Sequence, residues 1–122
     1  MKYFFIALQK TSDFNGRASR KEYWLFALFY WVFFLLLVSI GVLIEQHNPQ
    51  INNDIGIYIG VIYLFLMILP NLSILVRRLH DINKSGWYSL LGAIPYIGLF
   101  IIFIFLITKG DESKNKYGNK PL

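Results

Sequence analysis

Arg77-Arg78-Leu79-His80-Asp81 gathers most of this chain's side-chain chemistry into consecutive positions. Two guanidiniums can grip phosphate or carboxylate oxygens through paired N–H donors. His80 supplies a ring that titrates near neutrality. Asp81 supplies a carboxylate that can pair with Arg77 or Arg78, or accept backbone donors in a turn. Helical spacing sets Ser73, Arg77 and His80 along one face, which brings the ring close to a fixed positive charge. Arg17, Arg20 and Lys21 form a second basic group, and Lys84 extends the first.

Catalysis is the first chemistry to weigh. Hydrolysis or group transfer needs a nucleophile with a base, paired carboxylates or a metal site. His80-Asp81 is the only pair of that kind, and adjacent helical residues do not face one another. The other histidine, His47, lies in a separate polar loop and reads as a solvated residue. The absence of cysteine removes thiolate ligands and nucleophiles. No Asp-rich lipid-head transferase motif and no glycine-rich phosphate loop occur. The expectation is no enzyme activity, no catalytic residue, no metal and no cofactor. Two readings of the charged set remain. In one, Arg17, Arg20, Arg77, Arg78, His80 and Asp81 form a surface for anionic lipid headgroups or a membrane partner. In the other, Asp81 pairs internally with Arg17 or Arg20 and clamps helix ends.

The elements that position these residues are membrane helices. Tyr23 to Ile44, Ile55 to Val76 and Ser85 to Thr108 contain 22, 22 and 24 residues without a single Asp, Glu, Lys or Arg. About 20 apolar residues in a helix cross a hydrocarbon core of roughly 30 Å. Hydrophobic residues make up 56% of the chain and charged ones 16%, against about 25% charged in soluble domains. The expected fold is an all-α membrane protein with three transmembrane helices, the third kinked or re-entrant, and a short N-terminal interfacial helix. It forms one multi-pass domain, residues 1–122, with spans near 23–44, 55–76 and 86–108 and a tail at 109–122. The net charge of +5 is expected to meet anionic lipid on the cytoplasmic face, with no nucleic acid as partner.

Local signals refine this plan. Tyr3 to Leu8 is too short for a signal-peptide core and reads as an interfacial helix, with Lys2 and Lys10 near headgroups. Asp13-Phe14-Asn15-Gly16 favours a turn. Ser19-Arg20-Lys21-Glu22 matches a capping box, and Tyr23 and Trp24 fall at an aromatic belt. The loop Glu45 to Asp54 has no basic residue, which marks the translocated side. Gly56-x-x-x-Gly60 permits a close helix contact, within the chain or between copies. Pro70 predicts a kink that deprives the Leu66 carbonyl of its donor, with Asn71 and Ser73 beside it as hydrogen-bonding support or as a polar pocket. Ser85 is a candidate N-cap for the third helix.

Gly92, Pro95 and Gly98 interrupt that third segment. It reads as one kinked helix or as two half-length helices turning at Pro95-Tyr96. Lys and Arg number five before the first span, none in the first loop, three in the second and four in the tail. With three full spans the N-terminus is cytoplasmic and the tail lies outside, whereas a hairpin brings all twelve basic residues inside. An alternative function is a subunit of an oligomeric channel or transporter. Three helices alone cannot enclose a polar path, so this needs a homo-oligomer or another membrane protein, with the Pro70 and Pro95 kinks as its sites.

The set Gly16-Arg17-x-x-Arg20-x-x-Tyr23-Trp24, Pro70-x-Leu72, Arg77-Arg78-Leu79-His80-Asp81, Ser85-Gly86-Trp87 and Tyr117-Gly118-x-x-Pro121 resembles the domain of unknown function 805 family. These are small bacterial inner-membrane proteins of the YhaH type. The resemblance runs from about Asp13 to Pro121. Members usually carry Gly then Arg or Lys after the Arg-Arg-Leu-His-Asp block, and a second Trp after Ser-Gly-Trp; here Asn83 and Tyr88 stand at those places. The resemblance implies a bacterial inner-membrane location and brings no activity with it.

Overall fold

Ser19 opens the long helix by accepting from the Glu22 amide at 3.1 Å, which satisfies one orphan donor of the first turn. The reciprocal half of the capping box does not form, because the Glu22 carboxylate turns to Arg77 instead. This is the computed structural model of the chain, describing residues 1–51 and 54–121. The loop reading at 45–54 therefore extends over two positions, Asn52 and Asn53, that lie outside the described residues, as does Leu122 of the tail.

Helix α1 covers Lys2–Gln9 and α2 covers Arg20–His47. At 1.5 Å per residue, the 28 residues of α2 extend about 42 Å, enough to cross a bilayer core. The N-terminal helix packs on α2. Phe4 is buried with its ring centroid 5.4 Å from Phe26 and 5.1 Å from Phe33, while Phe5 faces outward.

Helices α3 (Ile55–Leu66) and α4 (Ile68–Asp81) meet at Met67 with a 43° bend. Only together are they long and apolar enough to cross. The kink expected at Pro70 thus forms just before it. Pro70 is the third residue of α4, where a missing N–H costs little because first-turn donors have no helical acceptor. Asn71 reinforces the joint, donating to the Met67 carbonyl from its backbone at 3.0 Å and its side chain at 2.7 Å. Gly56 and Gly60 form a contact within the chain. A Cβ on Gly41 of α2 would fall 2.7 Å from Gly56 Cα, and one on Gly60 would fall 3.1 Å from Val38 Cγ2.

The third segment departs from the kinked helix expected over 86–108. Gly86–Ala93 winds as a 3-10 helix, and α5 covers Ile97–Ile107. Tyr96 turns the chain with φ 63° and ψ −70°, the centre of a tight γ-turn closed by Ile97 N donating to the Pro95 carbonyl at 2.8 Å. Gly98 then passes so close to the first arm that a Cβ would lie 1.7 Å from the Leu91 carbonyl oxygen. The eleven residues of α5 reach only about 16 Å, roughly half the depth of a hydrocarbon core. The two arms run out and back, so the end of α5 returns to the end of α4: Arg78 donates to Leu106 and Thr108 carbonyls. The tail therefore docks beside Arg17 and Asp81, which corrects the expectation of a tail at the opposite end.

Candidate functional site

Asp81, the last residue of α4, is 4% exposed and sits between two arginines from distant parts of the chain. Nε and Nη2 of Arg17 reach its Oδ1 at 3.0 and 2.9 Å, and Nη1 of Arg78 reaches Oδ2 at 2.8 Å. A parallel pair joins Arg77 Nη1 to Glu22 Oε1 at 3.0 Å. Arg17, Arg77 and Arg78 are 5%, 1% and 0% exposed, and Glu22 is 6% exposed. Three buried guanidiniums thus face two carboxylates.

Backbone carbonyls offset the excess charge. Arg17 donates to the carbonyls of Ser113, Gly118 and Asp111 at 2.8, 3.2 and 2.5 Å. Arg78 and Arg20 take the Leu106, Ile107 and Thr108 carbonyls at the end of α5, where orphan acceptors and the negative end of the helix dipole coincide. Arg77 is less fully served: its Nε and Nη2 find no acceptor among the described residues. Burial pushes the Arg78 guanidinium below its usual value, opposed by Asp81.

The same face of α4 reads the segment between α1 and α2. Ser73 Oγ lies 2.7 and 2.8 Å from the Lys10 and Asp13 carbonyls, the Arg77 carbonyl accepts from Ala18 N, and His80 Nδ1 donates to the Gly16 carbonyl at 3.0 Å. The expected alignment of Ser73, Arg77 and His80 is present: Ser73 and His80 meet backbone carbonyls, and the Arg77 side chain meets Glu22. His80 lies four residues beyond the apolar stretch that ends at Val76. Its ring stacks on Tyr117 at 3.9 Å with an interplanar angle of 4°. Burial lowers its pKa, opposed by the Gly16 hydrogen bond and reinforced by nearby Lys116.

The tail closes the cluster. Asp111 N donates to the Asp81 carbonyl at 2.8 Å, and Asn115 Nδ2 bridges the His80 carbonyl and Asp111 Oδ2 at 3.0 and 2.8 Å. A Cβ on Gly110 would fall 1.9 Å from Asp81 Oδ2, so only glycine lets the tail cross there. On the rim, Lys109 and Lys120 hold the exposed Glu112 carboxylate down to about 2.

Of the charged residues singled out in the sequence, Arg17, Arg77, Arg78, His80 and Asp81 converge below the surface, and Arg20 stays exposed at its edge. Gly56, Gly60, Pro70, Asn71 and Pro95 lie elsewhere, at helix contacts and bends. Sequence reasoning missed Glu22, Gly110 and Asn115 as members of the cluster. The count of basic residues was the available signal, because a hairpin was the one arrangement that put the tail with Arg77 and Arg78. No group of three or more His, Cys, Asp or Glu among the described residues could hold a metal ion.

Comparison with known proteins bears on this arrangement. A family model described as "Protein of unknown function (DUF805)" matches residues 11–119. Inner membrane protein YhaI of Escherichia coli (strain K12) is 34% identical over 121 residues, covering 99% of this chain and 96% of the relative. Inner membrane protein YhaH of the same strain is 37% identical over 121 residues, covering 99% and 97%. No solved structure matches.

Proposed function

The chain belongs to the DUF805 family, and from that premise we propose that it is a multi-pass accessory or binding protein of the bacterial inner membrane, with its N-terminus and tail both cytoplasmic. The observation that carries this reading is Asp81, buried between Arg17, which also holds the tail, and Arg78, which also holds the end of α5. A buried, fully engaged charge pair is poor machinery for transport or catalysis and good machinery for fixing shape. It ties the start of α2, the end of α4, the end of α5 and the tail into one platform. The exposed cations around it, Arg20, Lys21 and Lys109, then form the working surface. Near an anionic leaflet each contributes about 1 kcal/mol of attraction. The orientation draws support from charge: no Lys or Arg occurs between Lys21 and Arg77, so the loop at 45–54 carries none and is the translocated side.

Native mass spectrometry of gently extracted protein tests the binding role. Wild type should retain anionic lipid or a membrane partner, and Arg20→Gln/Lys21→Gln/Lys109→Gln should lose it while keeping its melting temperature. A lipid-free, partner-free monomer in both samples overturns the reading. A C-terminal fluorescent or alkaline-phosphatase reporter tests the topology, with cytoplasmic fluorescence expected and periplasmic phosphatase activity refuting it.

A further inference from the structure

A cleft of about 430 Å³ opens between α1, the start of α2 and the tail, away from the Asp81 carboxylate. Lys2, Lys10, Arg17 and Lys120 line it together with Glu22, and Tyr3, Ile6 and Pro121 supply its less polar walls. Glu22 is already neutralised by Arg77, and Arg17 by Asp81. Lys2 and Lys10 make no ion pair among the described residues, and both are exposed. Among the described residues Lys120 pairs with Glu112, at the surface, where such a contact is weak and readily exchanged. Three available ammonium groups from the two terminal segments of the chain therefore converge on one opening.

We infer that this cleft binds the phosphate of an anionic lipid headgroup, with Lys2, Lys10 and Lys120 as its cationic contacts. Placement selects a lipid over a free phosphate. The helix that carries Lys2 and Lys10 buries Phe4 against Phe26 and Phe33 of the first membrane-crossing helix and leaves Phe5 52% exposed beside it. Lys21 rests over the Tyr3 ring, 5.5 Å from its centroid, so a further cation stands at the rim. Acyl chains beside Phe5 with the phosphate in the cleft would satisfy both sides of α1 at once. The inference rests on the membrane-face reading above and assigns it a site whose three lysine contacts lie outside the buried cluster.

Isothermal titration of the detergent-solubilised full chain separates the outcomes. The titrants are short-chain phosphatidylglycerol, short-chain phosphatidylcholine and soluble glycerol phosphate. Phosphatidylglycerol should bind more tightly than both of the others. Lys2→Gln/Lys10→Gln/Lys120→Gln should bind it roughly 100-fold more weakly, from about fivefold per lysine. The matching Lys→Arg triple variant should keep wild-type affinity. Equal binding of glycerol phosphate would refute a lipid occupant. Undiminished binding in the Gln variant would refute this cleft while leaving an anionic-lipid surface elsewhere intact. No preference for phosphatidylglycerol in wild type would remove both the cleft and the lipid surface.

Discussion

Replacing Asp81 by Asn keeps the shape of the side chain and removes one charge. The carboxylate is 4% exposed and receives three guanidinium N–H groups, two from Arg17 and one from Arg78. The amide can keep one acceptor toward Arg17, but its NH2 would point donor-to-donor at Arg78. Breaking a buried ion pair by removing one partner costs about 3–5 kcal/mol, because the remaining charge stays desolvated. Two guanidiniums are stranded here, and their remaining bonds to carbonyls blunt the penalty without cancelling it. The expected loss is therefore about 3–5 kcal/mol, a large share of the 5–15 kcal/mol typical of folded domains. The assay is thermal unfolding in mild detergent, followed by the monodisperse peak remaining on size exclusion. Glu112→Gln serves as the control: its two ion pairs are exposed, and it should cost less than about 1 kcal/mol. An Asp81→Asn protein within 1 kcal/mol of wild type would refute the clamp. The apolar triple variant Arg17→Met/Arg78→Met/Asp81→Leu sharpens the test. Replacing a simple buried ion pair with hydrophobes is often neutral. Here the carbonyls of Asp111, Ser113, Gly118, Leu106 and Thr108 would lose their arginine donors, so the triple variant should remain destabilised.

Gly110→Ala should mimic the loss of Asp81, since its Cβ would lie 1.9 Å from the carboxylate; we expect at least 1–3 kcal/mol, seen as a lower melting temperature and faster proteolysis of the tail. Gly41→Ala should separate α2 from α3 at about 1–3 kcal/mol, because its Cβ would meet backbone at 2.7 Å; a disulfide cross-linking rate between cysteines introduced on the two helices reads the separation. His80 has a folded pKa below the 6.5 of the unfolded chain, so the unfolded state binds the extra proton. The neutral ring's contribution is fully present above about pH 6.5 and is lost as pH falls through the lowered folded value. Melting temperature should drop across that acidic window in wild type and less so in His80→Gln.

Much of the fold was readable from charge-free length and a few local signals. Ser19 caps α2 as its type and spacing dictate, and Ser73, Arg77 and His80 share a face as 3.6-residue geometry requires. Pro70 announced a bend, although proline tolerance in a first turn places the break at Met67. Apolar composition could not separate a kinked span from two short arms over 86–107, because both bury the same residue types. The decision there is made by the γ-turn at Tyr96 and the tight crossing of Gly98 over Leu91. The charged cluster was half legible. The side-chain partners of Asp81 could be guessed from opposite charge, but five of the arginines' acceptors are main-chain carbonyls, which carry no signature in residue type. Glu22 was legible as a cap and is spent on Arg77 instead.

Arg17 is joined to Asp81 across 64 positions and to the carbonyls of Asp111, Ser113 and Gly118 across 94, 96 and 101. Synthesis runs from the first of these to the last. When α2 enters the bilayer, Arg17 has no partner; when α4 follows, Asp81 arrives, yet the guanidiniums still lack most of their acceptors. Only after Gly118 has left the ribosome can the ring close, so the nascent chain must wait at the membrane with its cations wet. Such non-local closure is slow. Chains ending before Gly118 would keep every apolar helix and still lack part of the carbonyl set that completes this cluster.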